Sequence, residues 1–130
     1  MAIYQIRSKR KLTGGRYKKL KVKKLANSGN LPRHTNLAER RSKYISTRSN
    51  NTKQILLSEN NVNVFDAKSK THKKVKIDNV IETPDNRNFV TRNILTKGAI
   101  VKTELGNVKL TSRPGQTGSV EGVLVQNNDK

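Results

Sequence analysis

The pattern of hydrophobic and polar positions changes near residue 54, and the two sides of that point predict different structures. From Gln54 onward, short runs rich in β-branched residues alternate with polar turns that carry Gly, Pro, Asn and Asp, which is typical of strands. Asn79 interrupts the alternation around Val75, Ile77 and Val80, and this interruption predicts a β-bulge. The predicted strands cover residues 54–58, 62–65, 74–81, 100–104, 107–111 and 119–125.

Six short strands cannot bury much apolar surface as an open sheet, so we expect them to close on themselves. The predicted fold class is mainly β, with a small six-stranded, barrel-like antiparallel body over residues 54–125 and a frayed tail over 126–130. The predicted core consists of Leu56, Val62, Val64, Phe65, Val75, Ile77, Val80, Phe89, Ile94, Ile100, Leu110, Val120 and Leu124.

Residues 1–53 read as a long, basic and largely irregular N-terminal extension. Within residues 7–24, 10 of the 18 positions are Lys or Arg and none is acidic, so repulsion should keep this segment extended until a polyanion neutralises it. The glycine pair Gly14-Gly15 allows positive φ and a close backbone approach to a partner. Further on, Thr35 is a candidate cap for a short helix over residues 36–43, with β-favouring residues after it.

Charge reinforces this division of the chain. The formal net charge is +19, and residues 1–53 hold 16 Lys or Arg against one acid, Glu39. An asymmetry of this size points to a polyanion-binding half joined to a more ordinary half, and nucleic acid is the obvious polyanion. The apolar N-terminal run is too short for a signal peptide, and no stretch approaches the roughly 20 apolar residues of a membrane span, so we expect a soluble, cytoplasmic protein with no membrane partner.

The residues that carry catalytic chemistry are scarce. The chain has no cysteine, only two histidines, His34 and His72, and no close group of carboxylates. It also lacks the Gly-x-x-x-x-Gly-Lys-Ser/Thr spacing of a nucleotide-binding loop. We therefore predict that the protein is not an enzyme and has no catalytic residues, metal site, cofactor or small-molecule substrate.

Four segments together resemble a known family. Residues 7–16 (RSKRKLTGGR), 32–35 (PRHT), 94–100 (ILTKGAI) and 111–116 (TSRPGQ) occur in the order and spacing of the small-subunit ribosomal protein eight family of eukaryotes and archaea. The resemblance spans nearly the whole chain, and the length is similar to the archaeal form. It implies a structural constituent of the small ribosomal subunit that binds ribosomal RNA, contacts neighbouring ribosomal proteins, and joins a β-barrel body to a basic extension.

The chain departs from the family pattern at two single positions and in one segment. Tyr4 stands where archaeal members usually have tryptophan, and Ile6 stands where glycine is common. The segment Arg48-Ser-Asn-Asn51 replaces a turn of the Arg-Gly-Gly-Asn kind.

We expect recognition of RNA through its phosphates and shape rather than its bases, since only Tyr4, Tyr17 and Tyr44 can stack. Tyr44 fits a core role equally well, His34 fits a structural or merely exposed role equally well, and His72 should be exposed. An alternative function is a non-ribosomal architectural protein that coats DNA. The predicted RNA-binding residues are Tyr4, Arg7, Ser8, Lys9, Arg10, Lys11, Thr13, Gly14, Gly15, Arg16, Lys18, Lys19, Lys21, Arg33, His34, Arg40, Arg41, Arg48, Lys53, Lys97 and Arg113.

Overall fold

The structure, a computed structural model, describes residues 3–18 and 22–125. The predicted contacts of Lys19 and Lys21 and the predicted frayed tail lie outside these residues. The described chain divides into two compact units, one ending at Pro32 and the other beginning at Arg33. Residues 35–36 and 41–46, which lie before the predicted boundary at residue 53, form strands that pair with the strand over residues 52–58.

The first unit is held by a short ladder. Strand β1 (Ile3–Tyr4) pairs antiparallel with β2 (Ser28–Gly29), and a 3₁₀ turn at Leu25–Asn27 leads into β2. The Gln5 amide continues the ladder by donating to the Asn27 carbonyl at 2.8 Å. The described part of this unit thus contains short paired elements, and a largely irregular extension reaching residue 53 is not confirmed.

Besides a 3₁₀ turn at Arg48–Asn50, the described part of the second unit contains nine strands and two short α-helices. In chain order these are β3 (Thr35–Asn36), β4 (Arg41–Ser46), β5 (Thr52–Ser58), β6 (Asn61–Asp66), β7 (Thr71–Glu82), α1 (Arg87–Thr91), β8 (Ile94–Leu95), β9 (Ile100–Thr103), β10 (Gly106–Leu110), α2 (Pro114–Thr117) and β11 (Glu121–Leu124).

Five of these strands form a closed barrel in the order β10-β11-β6-β7-β9. The predicted barrel is confirmed, but its strand number and direction were wrong: it has five strands rather than six, and β11 pairs with β6 in parallel. The predicted first strand exists within β5, yet it pairs with β4 and β3 instead of entering the barrel. The bulge predicted at Asn79 is confirmed, since the register between β7 and β9 shifts between Ile77 and Asn79.

The remaining strands form a four-stranded sheet in the order β4-β5-β3-β8. The helix predicted over residues 36–43 was wrong, because Thr35 and Asn36 pair with β8 and Asn36 also pairs with β5. Thr35 is buried, and its hydroxyl donates to the Leu56 carbonyl at 3.0 Å rather than capping a helix. A tertiary hydrogen bond has replaced the local one that the sequence offered.

The core joins the barrel to this sheet. Leu56 of β5 and Leu95 of β8 pack in one buried cluster with the inward side chains of the barrel. Phe65, Phe89 and Ile100, predicted as core, are only half-buried, and Val75 and Leu124 pack at its margin. Buried hydrophobic residues that the prediction missed are Ile55, Leu95, Ala99, Val101 and Val108. No helix in the described part of the chain is both long and apolar enough to span a membrane.

Candidate nucleic-acid interface

A tight hairpin lies within residues 7–24, which we call the basic arm. Arg10 and Arg16 form an antiparallel bridge, and inside it the Lys11 amide donates to the Gly15 carbonyl at 2.8 Å. The Gly14 amide donates back to the Lys11 carbonyl at 3.0 Å, and Gly14 has a φ of +82°. This is a three-residue hairpin loop that ends in a left-handed residue. The positive φ expected of the glycine pair is thus present at Gly14, whereas Gly15 does not adopt one.

Further hydrogen bonds within the arm stabilise this hairpin. Arg10 Nη1 donates to the Gly14 carbonyl at 3.0 Å, and the Ser8 hydroxyl accepts from the Arg10 amide at 3.2 Å. The Tyr17 amide donates to the Lys9 carbonyl at 3.0 Å. Arg10 and Ser8 are therefore partly engaged within the protein, but the remaining guanidinium N–H groups of Arg10 stay exposed.

Two cations of the arm lie close to the Tyr17 ring. The guanidinium carbon of Arg7 lies 3.9 Å from the Tyr17 ring centroid, and Lys11 Nζ lies 5.7 Å from it. Cation–π attraction of this kind offsets part of the repulsion between the two charges. The stack presents two cations and an aromatic ring at one place. The other predicted arm contacts within the described residues, which are Lys9, Thr13, Gly15, Arg16 and Lys18, are all exposed.

One face of the Tyr4 ring is covered by a cation of the same unit. Tyr4 lies half-buried in β1, opposite Ser28, and Lys23 Nζ sits 4.9 Å from its ring centroid. A base would have to use the other face or displace Lys23.

In the second unit, three predicted cations lie around α2. Arg113 precedes the helix, and Lys53 Nζ donates to Gln116 Oε1 at 2.6 Å. A Cβ on Gly115 would lie 3.5 Å from the Arg33 carbonyl oxygen, which shows how closely the two backbones approach. Arg33, Lys53 and Arg113, far apart in sequence, are therefore brought to one region.

The structure shows the positions of Tyr44 and His34, two residues whose roles the sequence left open. Tyr44 is 66% exposed on β4, opposite Gln54, so the core role for Tyr44 was wrong. His34 is exposed and packs against Phe89 of α1, with 5.0 Å between the ring centroids and an angle of 53°. His34 therefore has a packing partner, and its outer edge remains open to solvent.

The other predicted cations of the second unit are dispersed. Arg41 and Arg48 lie at opposite ends of the β4–β5 hairpin, and Lys97 is exposed in the turn before Gly98. Arg40 Nε lies 3.5 Å from Glu59 Oε2, where it balances a buried carboxylate. Within residues 3–18 and 22–125 this is the only ion pair, so the other predicted cations described there have no carboxylate partner among those residues.

The predicted residues miss a further group of cations on the β6–β7 hairpin. Asp66 begins its turn: the Lys68 amide donates to Asp66 Oδ1 at 2.9 Å and the Ser69 hydroxyl to Oδ2 at 2.8 Å, which together hold the pKa of Asp66 below its ordinary value. For Lys74 and Lys76 the signal was present in the sequence, since they alternate with Val75 and Ile77 and therefore lie on the outer face of the strand. The exposed lysines are Lys68, Lys70, Lys73, Lys74 and Lys76.

The same described residues contain no group of three or more His, Asp or Glu side chains placed to hold a metal ion. What they offer instead is a large set of cations, two of them stacked on a tyrosine, and exposed backbone at a glycine turn. That arrangement favours binding of a polyanion.

A family comparison now bears on the whole chain. The family model described as "Ribosomal protein S8e" matches residues 4–125. The chain belongs to the ribosomal protein S8e family. This agrees with the resemblance found in the sequence and with the prediction that the protein is not an enzyme.

Individual S8e relatives match over nearly their full length. The chain is 43% identical over 126 residues to "Small ribosomal subunit protein eS8" of Methanococcus aeolicus, covering 96% of this chain and 98% of that protein. It is 44% identical over 126 residues to the protein of the same name from Methanosphaera stadtmanae, covering 97% and 100%. The corresponding protein of Nanoarchaeum equitans is 45% identical over 123 residues, covering 95% and 97%.

One departure from the S8e pattern has a visible structural consequence. At the tip of the β4–β5 hairpin, Ser49 and Asn50 have φ of +62° and +61°. These are the positions where the resemblance implies two glycines, which adopt positive φ without strain. The hairpin keeps its shape with the Thr47 amide and hydroxyl both donating to the Asn51 carbonyl, at 2.7 and 2.9 Å. The turn that carries Arg48 is therefore retained at some conformational cost.

Proposed function

We propose that this chain is a structural constituent of the small ribosomal subunit in the cytoplasm, where it binds and bridges ribosomal RNA. Family membership supports this assignment, because the relatives that match nearly its whole length carry the name of a small ribosomal subunit protein. RNA and neighbouring ribosomal proteins are then its partners.

The observation that carries the proposal is the basic arm. Its hairpin brings Arg7, Lys11 and Tyr17 together, and no acid among the described residues pairs with its cations. This concentration of positive charge does not stabilise a folded domain. RNA phosphates, by contrast, neutralise it, and the binding releases the counterions of the RNA. In the complex, arginines of the arm bind phosphates as two-pronged donors and lysines act as point charges.

Residues 1–53 supply most of the RNA contact in this proposal, and the regions around α2 and Lys97 add secondary contacts. Arg33, Lys53 and Arg113 support that role because they converge near α2 from distant parts of the chain. Contacts from separate elements to one RNA, or to two helices of it, would bridge segments that otherwise repel each other.

Two double substitutions test the role of the arm. The variant Lys9→Gln/Lys18→Gln removes two exposed cations of the arm, and Arg92→Gln/Lys102→Gln removes two exposed cations of the second unit as a control with the same change in net charge. Binding to transcribed small-subunit ribosomal RNA is measured across a salt series. We expect the arm variant to lower the slope of log affinity against log salt by about 0.7–0.9 for each lost phosphate contact, and the control to change it less. Equal slopes for the two variants would contradict the role of the arm.

Two further measurements address the ribosome itself. The protein should sediment with small ribosomal subunits at moderate salt, and transcribed small-subunit RNA should compete for it better than duplex DNA with the same number of phosphates. A preference for duplex DNA would favour the alternative of a DNA-coating architectural protein. Failure to sediment with the subunit would refute the proposed function.

A further inference from the structure

The strand register places four side chains in one row on the outside of the barrel. Lys109 of β10 lies opposite Val123 of β11, Val123 lies opposite Phe65 of β6, and Phe65 lies opposite His72 of β7. These residues alternate with the buried Val108, Gly122 and Val64, so their side chains face away from the core. The row runs from a lysine, over an apolar residue, to a pair of aromatic rings.

A second row runs beside the first and is polar. The Thr111 amide donates to the Glu121 carbonyl at 2.9 Å, Glu121 lies opposite Asn63, and Asn63 lies opposite Lys74. The Ser119 hydroxyl donates to Glu121 Oε1 at 2.9 Å, while Oε2 has no donor among the described residues. A shallow depression lies between the rows, lined by Asn63, Phe65, His72, Thr111, Glu121 and Val123 together with the backbone of Gly122.

The aromatic pair places two neighbouring rings on the outer face of the barrel. The Phe65 and His72 ring centroids are 4.9 Å apart with an angle of 38° between the planes. Phe65 is only half-buried and His72 is exposed, so both residues keep surface that a ligand can reach. Bases of unpaired nucleotides stack on aromatic side chains displayed in this way on sheets and barrels.

Charged and hydrogen-bonding groups around the depression limit the kinds of ligand that can bind there. Lys74 and Lys109 flank the depression and suit the phosphates on either side of a stacked base. The carboxylate of Glu121 repels a phosphate or an acidic peptide, but it accepts hydrogen bonds from the amino group of a base. The centre of the depression therefore suits a base edge, and its borders suit the backbone of a nucleic acid.

We propose that this outer face of the barrel is a second RNA site, which stacks one unpaired, amino-bearing base on Phe65 and His72. Glu121 accepts from the exocyclic amino group, and Lys74 and Lys109 hold the adjacent phosphates. This inference rests on the proposed function, because it specifies how the same RNA partner is bound by residues that are not among the predicted contacts. Cytosine carries the required amino group, whereas uracil presents a carbonyl oxygen at the corresponding position.

A single tryptophan reports on the site, because the chain has no tryptophan of its own. In the full-length Phe65→Trp variant, with folding checked by circular dichroism, short oligocytidylate should quench the tryptophan fluorescence by stacking. Oligouridylate of the same length should bind the site at least about tenfold more weakly, because it lacks the hydrogen bond to a charged acceptor. A-form RNA duplex and polyglutamate should leave the fluorescence unchanged. Quenching by polyglutamate would instead indicate an acidic protein segment and would overturn the proposal.

A second measurement separates this site from the arm. Anisotropy of labelled oligocytidylate reports total binding by the full-length protein. Binding without tryptophan quenching would refute the barrel site while leaving the proposed function intact, and absence of any RNA binding would refute both. Without the reporter, Lys74→Gln should weaken oligocytidylate binding about threefold or more, whereas the exposed control Lys102→Gln, on β9, should change it less. Equal effects of the two substitutions would also count against the site.

Discussion

Replacing Gly14 by alanine isolates the conformational contribution of the arm hairpin to RNA binding. Gly14 has a φ of +82°, and a Cβ built there meets no atom within 4 Å, so the substitution causes strain without a clash. Placing an L-residue in the left-handed region costs about 1–2 kcal/mol. If RNA binds the hairpin as the structure shows it, affinity should fall about 5- to 30-fold, since 1.4 kcal/mol corresponds to a factor of ten.

Two companion variants make the measurement specific. Asparagine tolerates positive φ better than alanine, so Gly14→Asn should recover much of the affinity. Gly15 lies outside the positive-φ region, and a Cβ there would only make an ordinary contact with Thr13 Oγ1 at 3.6 Å. Gly15→Ala should therefore leave the free arm unchanged, and any loss of RNA affinity would show that the RNA approaches this backbone closely.

The assay is filter binding of the full-length variants to transcribed small-subunit RNA at one fixed salt concentration, with circular dichroism as the check on the barrel. Equal affinities of Gly14→Ala and the unaltered protein would refute the reasoning, since they would mean that the bound arm does not contain this turn. Equal losses for Gly14→Ala and Gly14→Asn would show that the space around the glycine matters rather than its φ.

Three other predictions concern the second unit. Ser49→Gly should stabilise the protein by roughly 1 kcal/mol, because it relieves a φ of +62°, and thermal unfolding would show a higher midpoint. Gly122→Ala should destabilise it by about 1–3 kcal/mol in urea unfolding, because the new Cβ would lie 2.5 Å from Val108 Cγ1; an unchanged midpoint would contradict this packing. The lowered pKa of Asp66 means that its stabilisation of the turn is present above the unfolded value of about 3.9 and is lost as the pH falls through the folded pKa. The Lys68 amide shift in an NMR titration should accordingly have its midpoint below 3.9.

The sequence predicted strands well and their partners less well. Alternation identified each barrel strand and the bulge at Asn79, because the outward and inward faces of a strand differ in polarity. It could not assign β5 to a second sheet, since pairing is decided by tertiary contacts. The sequence did contain one clue, since the adjacent apolar residues Ile55 and Leu56 are typical of a strand that is covered on both faces. Both side chains are buried in the structure.

Residues 35–46 show why local propensity failed. Good helix formers and a capping threonine favoured a helix, but Thr35 instead bonds to Leu56 across the sheet. Hydrogen bonds between distant residues leave no local trace in the sequence. The short strand β3 could be identified only once its neighbours were known.

The candidate interface was predictable in its charge and only partly in its arrangement. Composition alone singled out the arm, and Gly14 has the predicted backbone conformation. The stacking of Arg7 on Tyr17 and the ion pair of Arg40 with Glu59 depend on the fold. Phe65 was assigned to the core because it is apolar, although strict alternation with Val64 would have placed it on the outside.

The parallel pairing of β11 with β6 governs when the barrel can close during synthesis. The strand that seals it is the last one in the described chain, so β6 and β10 each have an edge that stays unpaired until Glu121–Leu124 leaves the polypeptide exit tunnel. The arm, by contrast, is made before any strand of the barrel. A product truncated before residue 121 would carry two open strand edges, which are templates for association with other chains. Strand β11, which is made after the other barrel strands, therefore protects the edges of β6 and β10 from such association.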